Sequence, residues 1–226
     1  MDATIEKAMV DPARTPDQAA PQARARRSRA GTQRKLEHLL SVAASLIARK
    51  GYEQTAIRDV GRETGVSLPG MYYYFTSKED LLFQIQYKTF SSLVDAQEAA
   101  AAVAEAPEPK LRRLLAGHLA FYAKHPNEMK VCTFELESVR EAPYREVKHL
   151  RNRYYRLMAT VIDQILERHG RRDAKGLRER HLTLFVFGML NWIFMWYDPA
   201  RDGPVERLGD EMADLVLDGL GRPRQD

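Results

Sequence analysis

Apolar residues recur every three or four positions through most of the chain, which is the spacing that places them on one face of an α-helix. The first clear stripe runs through residues 36 to 47 and stops at Lys50 and Gly51, where a glycine is typical of a helix end. No segment alternates apolar and polar residues as a half-buried strand does. The pattern therefore predicts an all-α protein.

Residues 55 to 75 have the pattern of two short helices joined by a tight turn. Thr55 is a candidate N-cap of the first helix, Gly65 supplies the turn, and Ser67 is a candidate N-cap of the second. Pro69 falls in the first turn of the second helix, where its missing N–H is tolerated. This order of elements is that of a helix-turn-helix, whose second helix enters the major groove of DNA.

Proline and glycine divide the rest of the chain into longer helices. The divisions are expected at residues 107 to 109, 125 to 126, 143, 170 to 176 and 199 to 204. Residues 182 to 197 are apolar on every side, so this helix must be covered on more than one face. The stretch is shorter than the ~20 residues of a bilayer span and contains Asn191, which favours a buried helix.

Positive charge is concentrated near the start of the chain. The formal net charge is only +4 over 226 residues, yet residues 21 to 35 carry a series of arginines and no acid. Residues 1 to 23 contain three prolines and few large apolar residues, so they are expected to be disordered. We interpret residues 1 to 28 as a disordered basic arm, which either lies along DNA or is a solvated tail.

Cys132 is the only cysteine of the chain, which excludes an internal disulfide and the usual cysteine-based zinc site. No metal and no cofactor are expected. The first 30 residues lack the apolar run of a secretory signal, and a reducing cytoplasm is the expected location.

Three segments carry a resemblance to a known family. Residues 51 to 60 read GYEQTAIRDV, residues 64 to 67 read TGVS, and residues 71 to 81 read MYYYFTSKEDL. Together they resemble the N-terminal domain of the TetR/AcrR family of bacterial repressors, over about residues 34 to 85. The sequence departs from the family at Gly61 and Thr64, where alanine is usual, and at residues 68 to 70, where more polar residues are common.

The resemblance implies an N-terminal helix-turn-helix domain of three helices and a C-terminal helical domain that binds a ligand and dimerises. We expect the first domain at residues 29 to 80 and the second at residues 81 to 221. In the family, the last two helices form a four-helix bundle with the partner subunit, and the preceding helices enclose a ligand cavity.

Contacts with DNA are carried over from the family by position. Arg58 is expected to read a guanine, and Leu68 or Pro69 to touch thymine methyl groups, whereas the exposed tyrosines and Lys78 are expected at phosphates. The alternatives are an ion pair for Arg58 and simple packing for the tyrosines. The candidate DNA-contacting residues are Arg27, Arg29, Thr55, Arg58, Ser67, Leu68, Pro69, Gly70, Tyr72, Tyr73 and Lys78.

The dimer interface is expected on the last two long helices, although a role in the core of one subunit is the alternative. Residues 205 to 220 have the apolar spacing of an amphipathic helix that suits such a bundle. The candidate interface residues are Met189, Trp192, Ile193, Trp196, Leu208, Met212, Leu215 and Val216.

The ligand cavity is expected to be apolar and aromatic, with cations at its mouth. Asn191 is singled out because an amide within an apolar helix needs a hydrogen-bond partner, which is a ligand, a partner subunit or a backbone group. The basic residues of one helix either form a solvated face or bind phosphate groups. The candidate ligand-binding residues are Phe90, Phe121, Tyr122, Met129, Phe134, Arg145, Lys148, Arg151, Tyr154, Met158, Phe187, Asn191 and Phe194.

The leading hypothesis is a repressor that binds a palindromic DNA operator as a homodimer and is released by a lipophilic effector, with an acyl- or aroyl-coenzyme A favoured. The alternative effector is a cationic lipophilic drug, for which Tyr122, Tyr154, Glu135 and Glu137 offer aromatic and carboxylate contacts. A DNA-binding architectural protein without an effector is a third hypothesis. An enzyme is not expected, because the chain has no phosphate-binding glycine loop, nucleophile elbow or metalloprotease motif.

Overall fold

The computed structural model describes residues 19–135, 138 and 141–221, with the side chains of residues 30–135, 138 and 143–219. All regular structure in these ranges is helical, which confirms the all-α prediction. Contacts divide the described chain after Leu39 into two compact units. The expected domain boundaries at residues 28 and 80 stay predictions. None of the described helices is long and apolar enough to cross a membrane.

The first helix, α1 (Ala19–Lys50), begins earlier than the apolar stripe predicts. The expectation of disorder is wrong for residues 19 to 28, which are helical in the structure. Alanine, arginine and glutamine are strong helix formers, and Pro21 falls in the first turn, where its missing N–H costs no intrahelical bond. The basic segment therefore extends a helix. The side chains of Arg27 and Arg29 lie outside the described residues.

The two predicted short helices follow as α2 (Ile57–Thr64) and α3 (Leu68–Tyr74), and the longer α4 (Lys78–Ala101) comes next. The N-cap of α2 is Ala56 and not Thr55, because the Asp59 carboxylate accepts a hydrogen bond from the Ala56 backbone N–H at 3.1 Å. Ser67 caps α3 as predicted, since its Oγ accepts a hydrogen bond from the Gly70 N–H at 3.3 Å.

The remaining helices are α5 (Pro107–Lys124), α6 (Pro126–Phe134), α7 (Glu141–Arg168), α8 (Leu177–Trp192), α9 (Pro199–Asp202) and α10 (Val205–Gly221). Pro143 does not separate two helices, because it lies in the first turn of α7, where proline is tolerated. The helix expected over residues 182 to 197 ends at Trp192 and continues as a 3₁₀ turn, Ile193–Met195.

Helix α5 lies at the centre of the C-terminal helices, where it packs against α4, α7 and α10. Its leucines Leu111, Leu114, Leu115 and Leu119 are fully buried. Each fully buried leucine stabilises the fold by roughly 1.5–3 kcal/mol relative to an exposed one. Helix α7 packs in turn against α4 and α8, so α4, α5, α7 and α8 surround a common core.

Candidate functional site

The turn between α2 and α3 leaves no room for a side chain at Gly61. Gly65 adopts a left-handed conformation with φ of 69°, which ends α2 and starts the turn. A Cβ atom added to Gly61 would lie 2.6 Å from the Val66 carbonyl oxygen and 3.3 Å from the Met71 Cγ. The buried Met71 packs α3 onto α2 at this point. Glycine at position 61 therefore permits the compact geometry of a helix-turn-helix.

The outer face of α3 presents large side chains to solvent. Tyr73 is 76% exposed, and Tyr72 and Leu68 are also exposed. The Tyr73 ring contacts the Tyr74 ring edge-on, with 5.0 Å between the centroids. Exposed tyrosines offer hydroxyl groups that donate to phosphate oxygens, and an exposed leucine offers an apolar contact for a thymine methyl group. Pro69 and Ser67 are exposed on the same short helix start.

Two arginines of α2 have different environments. Arg62 pairs with Asp59, at 2.9 Å between Arg62 Nη2 and Asp59 Oδ1. Arg58 is exposed and makes no ion pair or hydrogen bond with the described residues. An arginine without a partner is available for a bidentate contact with a guanine.

Lys78 has several partners within the protein. Its Nζ donates a hydrogen bond to the Glu53 carbonyl oxygen at 3.1 Å and lies 4.2 Å from the centre of the Tyr52 ring. A contact with phosphate stays a prediction for this residue. Thr55 is buried, and its hydroxyl donates to the Gly51 carbonyl oxygen at 2.9 Å. A contact of Thr55 with DNA stays a prediction, and in this geometry its side chain holds the turn before α2.

A cavity of about 490 Å³ lies among the C-terminal helices. Five helices, α4 to α8, contribute side chains to its wall. The lining combines buried residues with exposed ones, so the cavity runs from the core to the surface. The lining residues are Phe90, Leu93, His118, Met129, Cys132, Thr133, Tyr144, Lys148, Arg151, Asn152, Tyr154, Tyr155, Leu184, Phe187, Gly188, Asn191 and Trp192.

The buried part of this wall contains a pair of polar side chains, His118 of α5 and Tyr154 of α7. His118 Nδ1 and the Tyr154 hydroxyl oxygen are 2.9 Å apart, and the two rings stack with 5.8 Å between centroids. Burial lowers the pKa of His118 to about 4, and it raises the pKa of Tyr154 above its usual value. Both side chains are therefore neutral at pH 7.

The exposed part of the wall carries positive charge. Lys148 and Arg151 of α7 line it, and Lys148 Nζ lies 6.0 Å from the centre of the Tyr144 ring. Desolvation lowers the pKa of Arg151, although its guanidinium stays charged at pH 7 because the usual value is so high. No aspartate or glutamate belongs to the cavity lining within the described residues. The cavity thus has cations at its opening and neutral side chains inside.

A second, open groove of about 500 Å³ lies between α8 and α10. Trp192 is 54% exposed and Leu215 is 67% exposed, which is unusual for side chains of this size. Trp192 and Gly188 line both the groove and the inner cavity, so one turn of α8 separates the two spaces. The groove is lined by Gly188, Met189, Trp192, Trp196, Leu208, Glu211, Met212 and Leu215.

Two family models match the chain. The model described as "Bacterial regulatory proteins, tetR family" matches residues 39–85, over the helix-turn-helix. The model described as "Tetracyclin repressor-like, C-terminal domain" matches residues 104–220, slightly more than half of the chain. The chain belongs to the TetR family. The expected family membership is confirmed.

Relatives within the TetR family match about four fifths of the chain. The transcriptional repressor KstR2 of Mycolicibacterium smegmatis is 22% identical over 194 residues, 84% of this chain and 92% of that protein. The crystal structure of PfmR from Thermus thermophilus is 28% identical, with a TM-score of 0.70, and covers 81% of this chain and 99% of its own. AibR in complex with isovaleryl coenzyme A and operator DNA is 18% identical, with a TM-score of 0.72, and covers 80% of this chain and 97% of its own.

The cavity of this TetR-family protein brings together about half of the residues predicted to bind a ligand. Those in its wall are Phe90, Met129, Lys148, Arg151, Tyr154, Phe187 and Asn191. Asn191 makes no hydrogen bond with the described residues, and a ligand as its partner stays a prediction.

The other predicted ligand residues lie outside the cavity wall. Met158 is fully buried in the core and Tyr122 is nearly so. Phe134 is exposed and contacts Phe194 edge-on, with 4.9 Å between centroids. The Phe121 ring contacts the His125 ring in a tilted arrangement, and Arg145 is exposed on α7. Their roles in binding are not supported by their positions, because each faces the core or the solvent.

Sequence reasoning missed several residues of the cavity wall, of which His118 is the most informative. No local pattern pairs this histidine with Tyr154, because the two residues are 36 positions apart in sequence. Tyr144, Lys148, Arg151 and Tyr155 follow one another at steps of three and four on α7. This spacing could have identified one face of α7 as a cavity wall. The apolar stripe on the neighbouring face of the same helix is more conspicuous in the sequence.

Most, but not all, of the predicted dimer residues line the groove between α8 and α10. Six of them line the groove, namely Met189, Trp192, Trp196, Leu208, Met212 and Leu215. Ile193 is fully buried within the subunit and has no surface left for a partner. Val216 is half-buried against the core.

Proposed function

We propose that this TetR-family regulator is a transcriptional repressor that binds a palindromic operator as a homodimer and is released by an acyl- or aroyl-coenzyme A. The exposed outer face of α3 and the unpaired Arg58 support binding to operator DNA. A dimer with two-fold symmetry places its two recognition helices on matching half-sites, which is the reason for a palindromic operator.

The charge distribution of the cavity is the observation that carries the proposed effector. Coenzyme A is an anion through its phosphates, and its acyl group is apolar. Lys148 and Arg151 supply cations at the opening, and aromatic side chains such as Phe90 and Phe187 line the interior. The relative AibR was crystallised with isovaleryl coenzyme A, which is a ligand of this kind.

A cationic lipophilic effector is less well matched to this cavity. The carboxylate named for it, Glu135, does not line the cavity and accepts hydrogen bonds from Tyr52 and Ser138 instead. Glu137 lies outside the described residues. A buried cation without a carboxylate partner is costly, so the cavity favours an anion at its opening.

The groove between α8 and α10 supports the homodimer. Its apolar side chains include exposed tryptophan and leucine, which an isolated subunit would leave in contact with water. A two-fold interface lets the same groove meet its copy, so that Trp192 and Leu215 of each subunit are buried together. The two helices of each subunit then form a four-helix bundle.

The effector is tested by thermal unfolding in the presence of isovaleryl-coenzyme A, benzoyl-coenzyme A or the cation tetraphenylphosphonium. A ligand at a hundred times its dissociation constant adds ~2.7 kcal/mol to the free energy of unfolding. We expect stabilisation by a thioester and loss of that effect when Lys148 and Arg151 are both changed to Glu. The matched control reverses two exposed cations outside the cavity wall, Arg156→Glu and Lys175→Glu.

The same ligands are then added to a complex of the protein with operator DNA in a mobility-shift titration. Release of the DNA by a thioester is the expected result. Stabilisation and release by tetraphenylphosphonium, with no response to either thioester, would contradict the proposed effector and favour a drug-sensing repressor.

A further inference from the structure

The buried wall of the cavity holds a polar pair whose hydrogen bonds are incomplete. His118 is only 1% exposed and Tyr154 is also buried, and both line the cavity. Their single hydrogen bond joins His118 Nδ1 to the Tyr154 hydroxyl. His118 Nε2 is buried and has no hydrogen-bond partner among the described residues. Buried polar groups normally find a partner, so this pair has unused capacity.

The unused capacity does not depend on the tautomer of the histidine. If the Tyr154 hydroxyl donates to Nδ1, then His118 Nε2–H remains as a free donor. If Nδ1–H donates to Tyr154 instead, the tyrosine O–H remains as a free donor. The pair therefore retains one donor in either arrangement, and it retains one acceptor as well.

The surroundings of the pair determine which ligand group it suits. The low pKa of His118, caused by burial, means that the imidazole is neutral at pH 7. A neutral donor in an apolar wall does not compensate a buried carboxylate, but it satisfies a carbonyl or hydroxyl oxygen. Phe187 packs edge-on against Tyr154, with 5.1 Å between centroids, and lines the same cavity.

We propose that the His118–Tyr154 pair donates a hydrogen bond to a neutral oxygen atom at the acyl-thioester end of the effector. The inference rests on the proposed coenzyme A effector and assigns the polar contact at its buried end. Two sources of such an oxygen exist, the thioester carbonyl and a hydroxyl or oxo group on the acyl chain. The charged end of the effector is held separately at Lys148 and Arg151.

The test compares three ligands with the full-length protein: isovaleryl-coenzyme A, its 3-hydroxy derivative, and the thioether S-isopentyl-coenzyme A, which lacks the carbonyl. Dissociation constants are measured by titration calorimetry for the wild type and for Tyr154→Phe. This variant keeps the ring that packs on Phe187 and removes only the hydroxyl. Tyr87→Phe is the control, because Tyr87 is exposed on α4 and does not line the cavity.

The expected result is an affinity about tenfold lower in Tyr154→Phe for the oxygen-bearing ligand that the pair contacts. If the carbonyl is the contact, both thioesters weaken and the thioether does not. If an acyl-chain oxygen is the contact, only the hydroxyacyl thioester weakens. Equal affinities of wild type and Tyr154→Phe for every ligand would overturn the inference.

A second variant separates hydrogen bonding from packing. His118→Gln keeps a side chain that can hydrogen-bond Tyr154, so we expect it to preserve the order of the three dissociation constants that the wild type shows. We expect His118→Phe to abolish that order. A loss of affinity that is equal for all three ligands in Tyr154→Phe would show that the hydroxyl meets no oxygen that distinguishes them, and this result would overturn the inference. If wild-type protein binds none of the three, the proposed coenzyme A effector fails first.

Discussion

The Glu135 carboxylate accepts a hydrogen bond from the Tyr52 backbone N–H, with 3.1 Å between Glu135 Oε1 and Tyr52 N. Tyr52 lies between α1 and α2, and Glu135 is the C-cap of α6. The Glu135 carbonyl oxygen also accepts a hydrogen bond from Gln86 Nε2 of α4, at 2.8 Å. Helix α6 contributes Met129, Cys132 and Thr133 to the cavity. A direct chain of contacts therefore joins the cavity wall to the segment that leads into the helix-turn-helix.

We expect Glu135→Ala to weaken the response of DNA binding to ligand while ligand binding itself changes little. The coupling free energy is obtained from operator affinities with and without ligand, and we expect it to fall by about 1 kcal/mol. The control is Glu128→Ala, which removes a half-buried carboxylate from the same helix without a hydrogen bond to the described residues. Equal coupling in wild type and Glu135→Ala would show that the Tyr52 contact transmits nothing.

Arg58→Ala should relax the preference for one base pair in each half-site. Because the guanidinium makes no hydrogen bond or ion pair with the described residues, its loss removes the proposed contact with DNA and leaves the hydrogen bonds of that part of the protein intact. A bidentate contact with guanine is worth about 1–3 kcal/mol of discrimination. Arg62→Ala is the matched control on the same helix, since Arg62 pairs with Asp59. Mobility-shift titrations of both protein variants with a series of operator variants measure this discrimination. If Arg58→Ala weakened binding to every operator equally, base reading would be refuted.

Gly61→Ala should destabilise the helix-turn-helix, although alanine is usual at this position in the family. The added Cβ would lie 2.6 Å from the Val66 carbonyl oxygen, so the backbone of the turn must shift. Overpacking of this kind costs about 1–3 kcal/mol. Gly31→Ala is the control, because its Cβ meets no atom within 4 Å and alanine favours a helix by up to about 1 kcal/mol. Urea unfolding, monitored by circular dichroism, measures the stability of both variants. A Gly61→Ala protein as stable as the wild type contradicts the prediction.

Leu215→Arg should convert the proposed dimer to a monomer. This leucine is 67% exposed in the groove, and a charge buried between two copies would lack a partner. Val103→Arg, at an exposed apolar position outside the groove, should leave the assembly unchanged. Sedimentation velocity reports the mass of each. An unchanged dimer in Leu215→Arg would place the interface elsewhere.

His118 should make the protein less stable as the pH falls. Its pKa is about 4 in the folded state against 6.5 ordinarily, so between these values the unfolded chain binds more protons and unfolding is favoured. From pH 7 to pH 5 the loss in the free energy of unfolding should be about 2 kcal/mol. His118→Gln removes this titration, so its stability should fall less over the same interval. Urea unfolding at both pH values, at one protein concentration, measures the difference. Parallel losses in the two proteins would show that His118 titrates normally.

Much of the architecture was predictable from the sequence because the relevant signals are local. The helical period of apolar residues, the Ser67 cap and the Gly65 turn each involve residues within one or two helical turns of one another. The same signals located the recognition helix and its exposed tyrosines. Six residues that were expected at the dimer interface line the groove, and their contact with a partner subunit stays a prediction.

The tertiary structure alone decided which side chains meet across helices. His118 pairs with Tyr154, which is 36 residues away, and Glu135 reaches Tyr52, which is 83 residues away. A small rotation of one helix about its axis exchanges the residues that face a neighbour, and no local pattern determines that rotation. For this reason Met158 and Tyr154, four residues apart on α7, were equally good candidates in the sequence. Packing placed Tyr154 at the cavity and Met158 in the core.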